Sequence, residues 1–138
     1  MLHSPTRINP HARRALITGA TLMLVGVALG AFGAHGLRRL VAAPLLETWE
    51  TGARYLLLHA LAFLALGAVG LHAGLALQWV RRFLLAGVLL FSGNCFLYVI
   101  SGVKVFALLV PIGGTLLLIG WGLLIWQLVF FTRAELPR

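Results

Sequence analysis

The stretch Gly26–His59, GVALGAFGAHGLRRLVAAPLLETWETGARYLLLH, decides the fold. An apolar run ends at Ala34, and a link carrying His35, Arg38, Arg39, Glu47, Glu50 and Arg54 follows. A second apolar run then begins at Tyr55 and contains His59. On both sides of this stretch the chain is close to hydrocarbon: 61% of its residues are apolar and 10% are charged, the signature of a polytopic membrane protein. The formal net charge of +8 does not point to nucleic acid. Its basic residues stand at the ends of apolar runs, as membrane anchors do, and form no stripe with interleaved aromatics. Cys95 is the single cysteine and lies within an apolar run, so an intrachain disulfide is excluded and a buried, inert thiol is expected.

Outward from the link, the fold class reads as an all-α membrane protein. It has four transmembrane helices and an amphipathic helical link between the first and second. The spans are expected at about 15–34, 55–77, 83–100 and 105–131. Twenty residues at about 1.5 Å each cover about 30 Å, the thickness of the hydrocarbon core. The first run is too long for the apolar region of a signal peptide. Residues 1–14, with Pro5, Pro10 and three arginines, read as a flexible basic tail, and 132–138 as a short polar one. Within the link, Glu50 precedes Arg54 by four residues, the favourable order for a helical pair. The helix should therefore start near Leu45 and run unbroken into the second span. Leu45, Leu46, Trp49 and Ala53 share its apolar side, which places Trp49 at headgroup depth. QWVRR (78–82) reads as a basic turn, and Pro111 should kink the fourth span.

Small residues recur at near-helical spacing. Gly19, Met23, Gly26, Gly30 and Ala34 fall four, three, four and four apart, with Gly33 beside them, and Gly70 and Gly74 repeat the pattern in the second span. Such faces let backbones approach closely, so a helix-packing seam is expected at Gly19, Gly26, Gly30, Gly33, Gly70 and Gly74.

Four spans put both termini on one side. Seven arginines (Arg7, Arg13, Arg14, Arg81, Arg82, Arg133 and Arg138) flank that side, against Arg38, Arg39, Arg54 and Lys104 on the other. The positive-inside rule makes it the cytoplasmic side. His35, Glu47, Glu50, Arg54, Tyr55, His59 and Asn94 then all fall in or above the outer leaflet, and a polar pocket near that face, capped by the link, is expected. Tyr55 and His59 share a helix face. His59 suits a bond to a neighbouring carbonyl, a proton-responsive site or a ligand role. His35 suits a helix cap, Asn94 interhelical glue, and Glu50 with Arg54 a surface or cap pair. His72 stands alone in the inner half and reads as structural. No catalytic constellation is expected: Ser92, His59 and Glu50 have no telling spacing. No HxxxH or CxxC metal pattern occurs, and Gly26, Gly30 and Gly33 lack the strand context of a phosphate loop.

The blocks LGAFGAHGL (29–37), ETWETGARYLLLHALA (47–62), LLFSG (89–93) and PIGG (111–114) resemble domain-of-unknown-function family 423, the bacterial relatives of animal transmembrane protein 256. The motif positions map onto Gly30, Phe32, Gly33, His35, Gly36, Trp49, Thr51, Gly52, Tyr55 and His59. The resemblance implies a small inner-membrane protein and no particular activity. From the residues, the first reading is a structural or accessory membrane component, not an enzyme and without a cofactor. Its partners would be membrane lipids, a second copy or a larger membrane complex. The alternatives are a small proton-linked carrier using the outer pocket, and a membrane enzyme or a haem protein ligated through His35 and His59.

Overall fold

The computed structural model describes residues 9–70 and 77–131; Gly74 and His72 lie outside them, as do 1–8 and 132–138. The described residues form four long helices, α1 (Pro10–His35), α2 (Ala43–Gly70), α3 (Gln78–Ser101) and α4 (Lys104–Phe131), with a 3-10 turn at Leu37–Arg39 and no strand. All four are long and apolar enough to cross a membrane. The end holding the α1–α2 connection is termed here the link end, and the opposite one the terminal end.

The helix boundaries differ from those expected, for local reasons. α1 starts at Pro10, so residues 10–14 are helical and not part of a tail. Asn9 is the N-cap and its side chain accepts from the His11 N–H at 2.9 Å, while proline sits in the first turn, where its missing donor costs nothing. QWVRR is the first turn of α3 and not a loop, which puts Arg81 and Arg82 on helix. α2 does absorb the link from Ala43 on, as the Glu50 and Arg54 spacing implies. α3 ends on Gly102, whose φ of 69° gives the left-handed cap. α4 continues through Pro111, and the Thr115 hydroxyl donates to the Pro111 carbonyl at 2.9 Å.

Neighbours in sequence pack antiparallel, and α1 with α2 and α3 with α4 approach more closely than α2 with α3. The molecule is thus two tight hairpins joined along a looser seam. In the first hairpin the small residues of α1 recur every seven positions: Ala12, Gly19, Gly26 and Gly33. A Cβ built on Gly19 would lie 2.8 Å from the Leu64 nitrogen and 2.9 Å from the Ala60 carbonyl oxygen, so backbone packs on backbone. Gly67 meets Leu16 in the same way, and Gly70 is within ordinary contact of Ala12. Gly30 has nothing within 4 Å and is not in the seam. The reason is geometric: a 3.5-residue contact repeat alternates steps of three and four, so from Gly26 the packed face runs through Leu29 to Gly33, and Gly30, one position past Leu29, falls beside it. The second hairpin repeats the arrangement, with Gly113 against the Phe91 backbone, Gly120 against Leu84 and Gly87 against Leu117.

Trp49 fastens the link end. It is buried within the protein, 1% exposed, instead of resting in the membrane interface, and its indole N–H donates to the Leu29 carbonyl of α1 at 2.8 Å. The ring sits where a Gly33 side chain would be, 2.6 Å from that absent Cβ, and packs edge-on to Phe32 and against Phe96 of α3.

Gly19→Leu should therefore force α1 off α2 and lower stability by about 1–3 kcal/mol or more, read as a drop in thermal unfolding midpoint in detergent. Gly30→Leu should leave the midpoint unchanged; equal losses from the two would remove the seven-residue seam.

Candidate functional site

The seam between the hairpins opens at the link end into a cavity of about 380 Å³. Pro44, Glu47, Thr48 and Thr51 of α2 face Phe91, Cys95 and Tyr98 of α3 across it, and Ala107 and Val110 of α4 complete the wall. Its existence follows from the side chains at the joint. Where the hairpins themselves are zipped by glycine and alanine, α2 and α3 touch closely at Gly52 and Cys95 and otherwise meet here through rings: Trp49 on Phe96 with centroids 4.6 Å apart and Tyr55 on Phe91 at 4.3 Å. Pro111 leaves the Ala107 carbonyl without its helical N–H partner, which adds an acceptor to this part of α4. Cys95 is buried and free, 3% exposed.

Two helical turns along α2 from Thr51, His59 is 6% exposed. Its Nε2 accepts from the Trp121 indole N–H of α4 at 3.2 Å, and its Nδ1 lies 2.8 Å from the Tyr55 carbonyl oxygen. An indole can only donate and a carbonyl can only accept, so both contacts are satisfied by one species, the neutral ring with its proton on Nδ1. A proton added at Nε2 would face another N–H. The Tyr55 ring stacks over both His59 and Phe91, which places the histidine behind an aromatic lid.

The residues expected to share a polar pocket divide accordingly. Tyr55 and His59 come together, and Glu47 stands at the mouth of the cavity above them. His35 ends α1 on the exposed surface; Glu50 and Arg54 are exposed and lie outside the cavity lining. Asn94 is buried, 6% exposed, and donates to the Leu90 carbonyl of its own helix. The Ser92 hydroxyl is buried in α3 with no hydrogen-bond partner. Among the described residues no three His, Cys, Asp or Glu side chains gather as a metal site. Sequence reasoning missed Trp121 and the true place of Trp49. The signal available for both was an indole N–H inside an apolar run, a donor that needs an acceptor once it leaves water.

The sequence pattern of a protein family of unknown function, DUF423, matches residues 29–114, from the last turns of α1 to the glycine pair of α4. The chain belongs to the DUF423 family. A UPF0382 membrane protein of Staphylococcus aureus is 36% identical over 110 residues, which is 80% of this chain and 90% of that protein. Its counterpart in Staphylococcus saprophyticus is 34% identical over 110 residues, covering 80% and 92% of the two chains. No solved structure matches. The matched span contains the Leu29–Trp49 bond, the aromatic seam and His59, and leaves out Trp121 and the terminal end of α4.

If the His59–Trp121 bond joins the hairpins, His59→Ala and Trp121→Phe should be non-additive. A double-mutant cycle on thermal stability should return a coupling of about 0.5–1.5 kcal/mol. Strict additivity would show that the two residues act apart.

Proposed function

We propose that this DUF423 protein is a structural or accessory component of the bacterial inner membrane, with both termini cytoplasmic and the link-end cavity toward the outer face. The distribution of arginines supports that orientation: Arg13, Arg14, Arg81 and Arg82 are grouped at the terminal end.

The observation that carries the reading is the content of the core between the two ends. Leu56, Ala60, Phe63 and Leu66 of α2 pack with Val80, Leu84 and Val88 of α3, Leu22 of α1 and Leu117 of α4 in one buried hydrocarbon cluster. Between His59 and the arginines of the terminal end, that cluster offers no relay of ionisable groups among the described residues. A carrier needs one, and it also needs a titrating group free to change its partners. His59 is instead held between a donor and an acceptor that both suit its neutral form. The seam glycines Gly19, Gly26 and Gly33 of α1 and Gly67 of α2 are occupied within the chain. The outward faces of α1 and α4, with Leu24, Leu108 and Leu118 each more than 70% exposed, are left to acyl chains or to a neighbouring protein.

Purified protein in proteoliposomes, driven by an imposed pH gradient and membrane potential, should pass no more protons than protein-free vesicles, as read by an entrapped pH-sensitive dye. A flux abolished by His59→Ala would replace this reading with proton-linked transport.

A further inference from the structure

At the terminal end the looser joint opens again, as a furrow of about 200 Å³ bounded by α1 and α3, with Phe63 of α2 also lining it. We propose that this furrow is a binding site for an anionic phospholipid, its phosphate held by Arg14, Arg81 and Arg82 and one acyl chain lying deeper along Phe63 and Leu85.

The chemistry of the lining is graded along the helix axes. His11 and Arg14 come from the first turns of α1, and Gln78, Arg81 and Arg82 from the first two of α3. Deeper along the helix axes the lining turns to Ala15, beside Arg14, and then to Thr18, Phe63 and Leu85. A cationic mouth over an apolar floor, at the ends of membrane-spanning helices, matches a lipid: a charged headgroup at the interface and hydrocarbon below it. A free anion would use the mouth and leave the floor without a role.

Three further features favour negative charge. Both α1 and α3 present their N-termini at this end, and the first turn of α3 has no side-chain cap, so its N–H groups and dipole add to the guanidinium field. Arg81 is half-buried between helices, where an unpaired guanidinium is costly. The two glutamates of the described residues, Glu47 and Glu50, stand at the opposite end, in the first turns of α2. Arg82 lies over the Trp79 ring, 4.7 Å from its centroid, which positions the guanidinium beside an exposed interfacial indole while its edge stays free to donate.

The test uses the full chain in nanodiscs of phosphatidylcholine carrying increasing phosphatidylglycerol or cardiolipin, with retained lipid counted by native mass spectrometry. The unmodified protein should retain the anionic lipid over phosphatidylcholine. Arg14→Gln with Arg81→Gln should weaken retention by roughly fivefold per arginine, or about 25-fold together. Arg38→Gln with Arg39→Gln, which removes the same charge at the link end, should leave retention unchanged. Equal retention by the two double variants, or no preference over phosphatidylcholine, overturns the proposal. Inorganic phosphate at millimolar concentration should not displace the lipid; displacement would make this a site for free anions and overturn the lipid assignment. A measurement on the unmodified protein stands should the arginine variants fail to fold: retention must fall as salt rises, and salt-independent retention overturns the proposal as well.

Discussion

A single indole in a glycine notch holds the link end together. Inside a membrane, apolar side chains gain nothing by leaving lipid for one another, so helices associate through close packing and hydrogen bonds. Trp49 supplies both at one point. Gly33 leaves room for the ring, and the ring then reaches the Leu29 carbonyl, one turn back on α1 and otherwise engaged only within its own helix. An alanine at position 33 would fill the notch, and with it the path of the N–H to its acceptor. The same ring carries Phe96 of α3 on its other side, so the register of α1 on α2 and the placement of the second hairpin are set together.

The two kinds of contact surface explain where the cavities lie. Within each hairpin the backbones meet through glycine and alanine, leaving no space between them. Between hairpins, apart from Gly52 close on Cys95, the contacts at the link end are made by rings, Trp49 on Phe96 and Tyr55 on Phe91, and the joint is looser. The joint is sealed at mid-depth by the Phe63, Leu84 and Val88 cluster and opens toward both ends, giving a polar-mouthed cavity at one and a basic furrow at the other. The two openings belong to one structural fact, and the hydrocarbon plug between them separates their chemistries.

Much of this was legible in the residues. Length and hydropathy defined four spans, and Glu50 four residues before Arg54 marked the link as helix continuous with the second span. Burial of Trp49 was not legible, because an amphipathic turn with Leu45, Leu46 and Ala53 beside it has the same pattern whether its apolar side meets lipid or protein. The glycine seam was half legible: Gly19, Gly26 and Gly33 belong to it, but a run of small residues does not say whether the packed face takes its step of three or of four after Gly26, and Gly30 was included on a step of four where the face runs through Leu29. The expected polar pocket joined most of its residues by depth; only Tyr55 and His59 were also placed on one helix face. That pair does come together, whereas azimuth around the helix turned Glu50 and Arg54 outward, and Asn94 donates within its own helix.

That last behaviour recurs along the chain, with the buried Ser92 hydroxyl as an exception, and shapes what specifies the fold. Thr21, Thr48, Asn94, Ser101 and Thr115 each donate to a carbonyl four residues earlier. A donor satisfied locally crosses the bilayer at low cost and says nothing about which helix should be its neighbour. An indole N–H is too far from its own backbone to do this and must find an acceptor on another element. Trp49 finds one on α1 and Trp121 finds one on His59 of α2, so one indole closes the first hairpin and the other ties the second hairpin to it. His59 completes the arrangement because it can pass the requirement on, accepting from the Trp121 N–H at one nitrogen and donating its own N–H to the Tyr55 carbonyl at the other. In a chain so poor in polar side chains, helix order is set by the donors that cannot be satisfied at home.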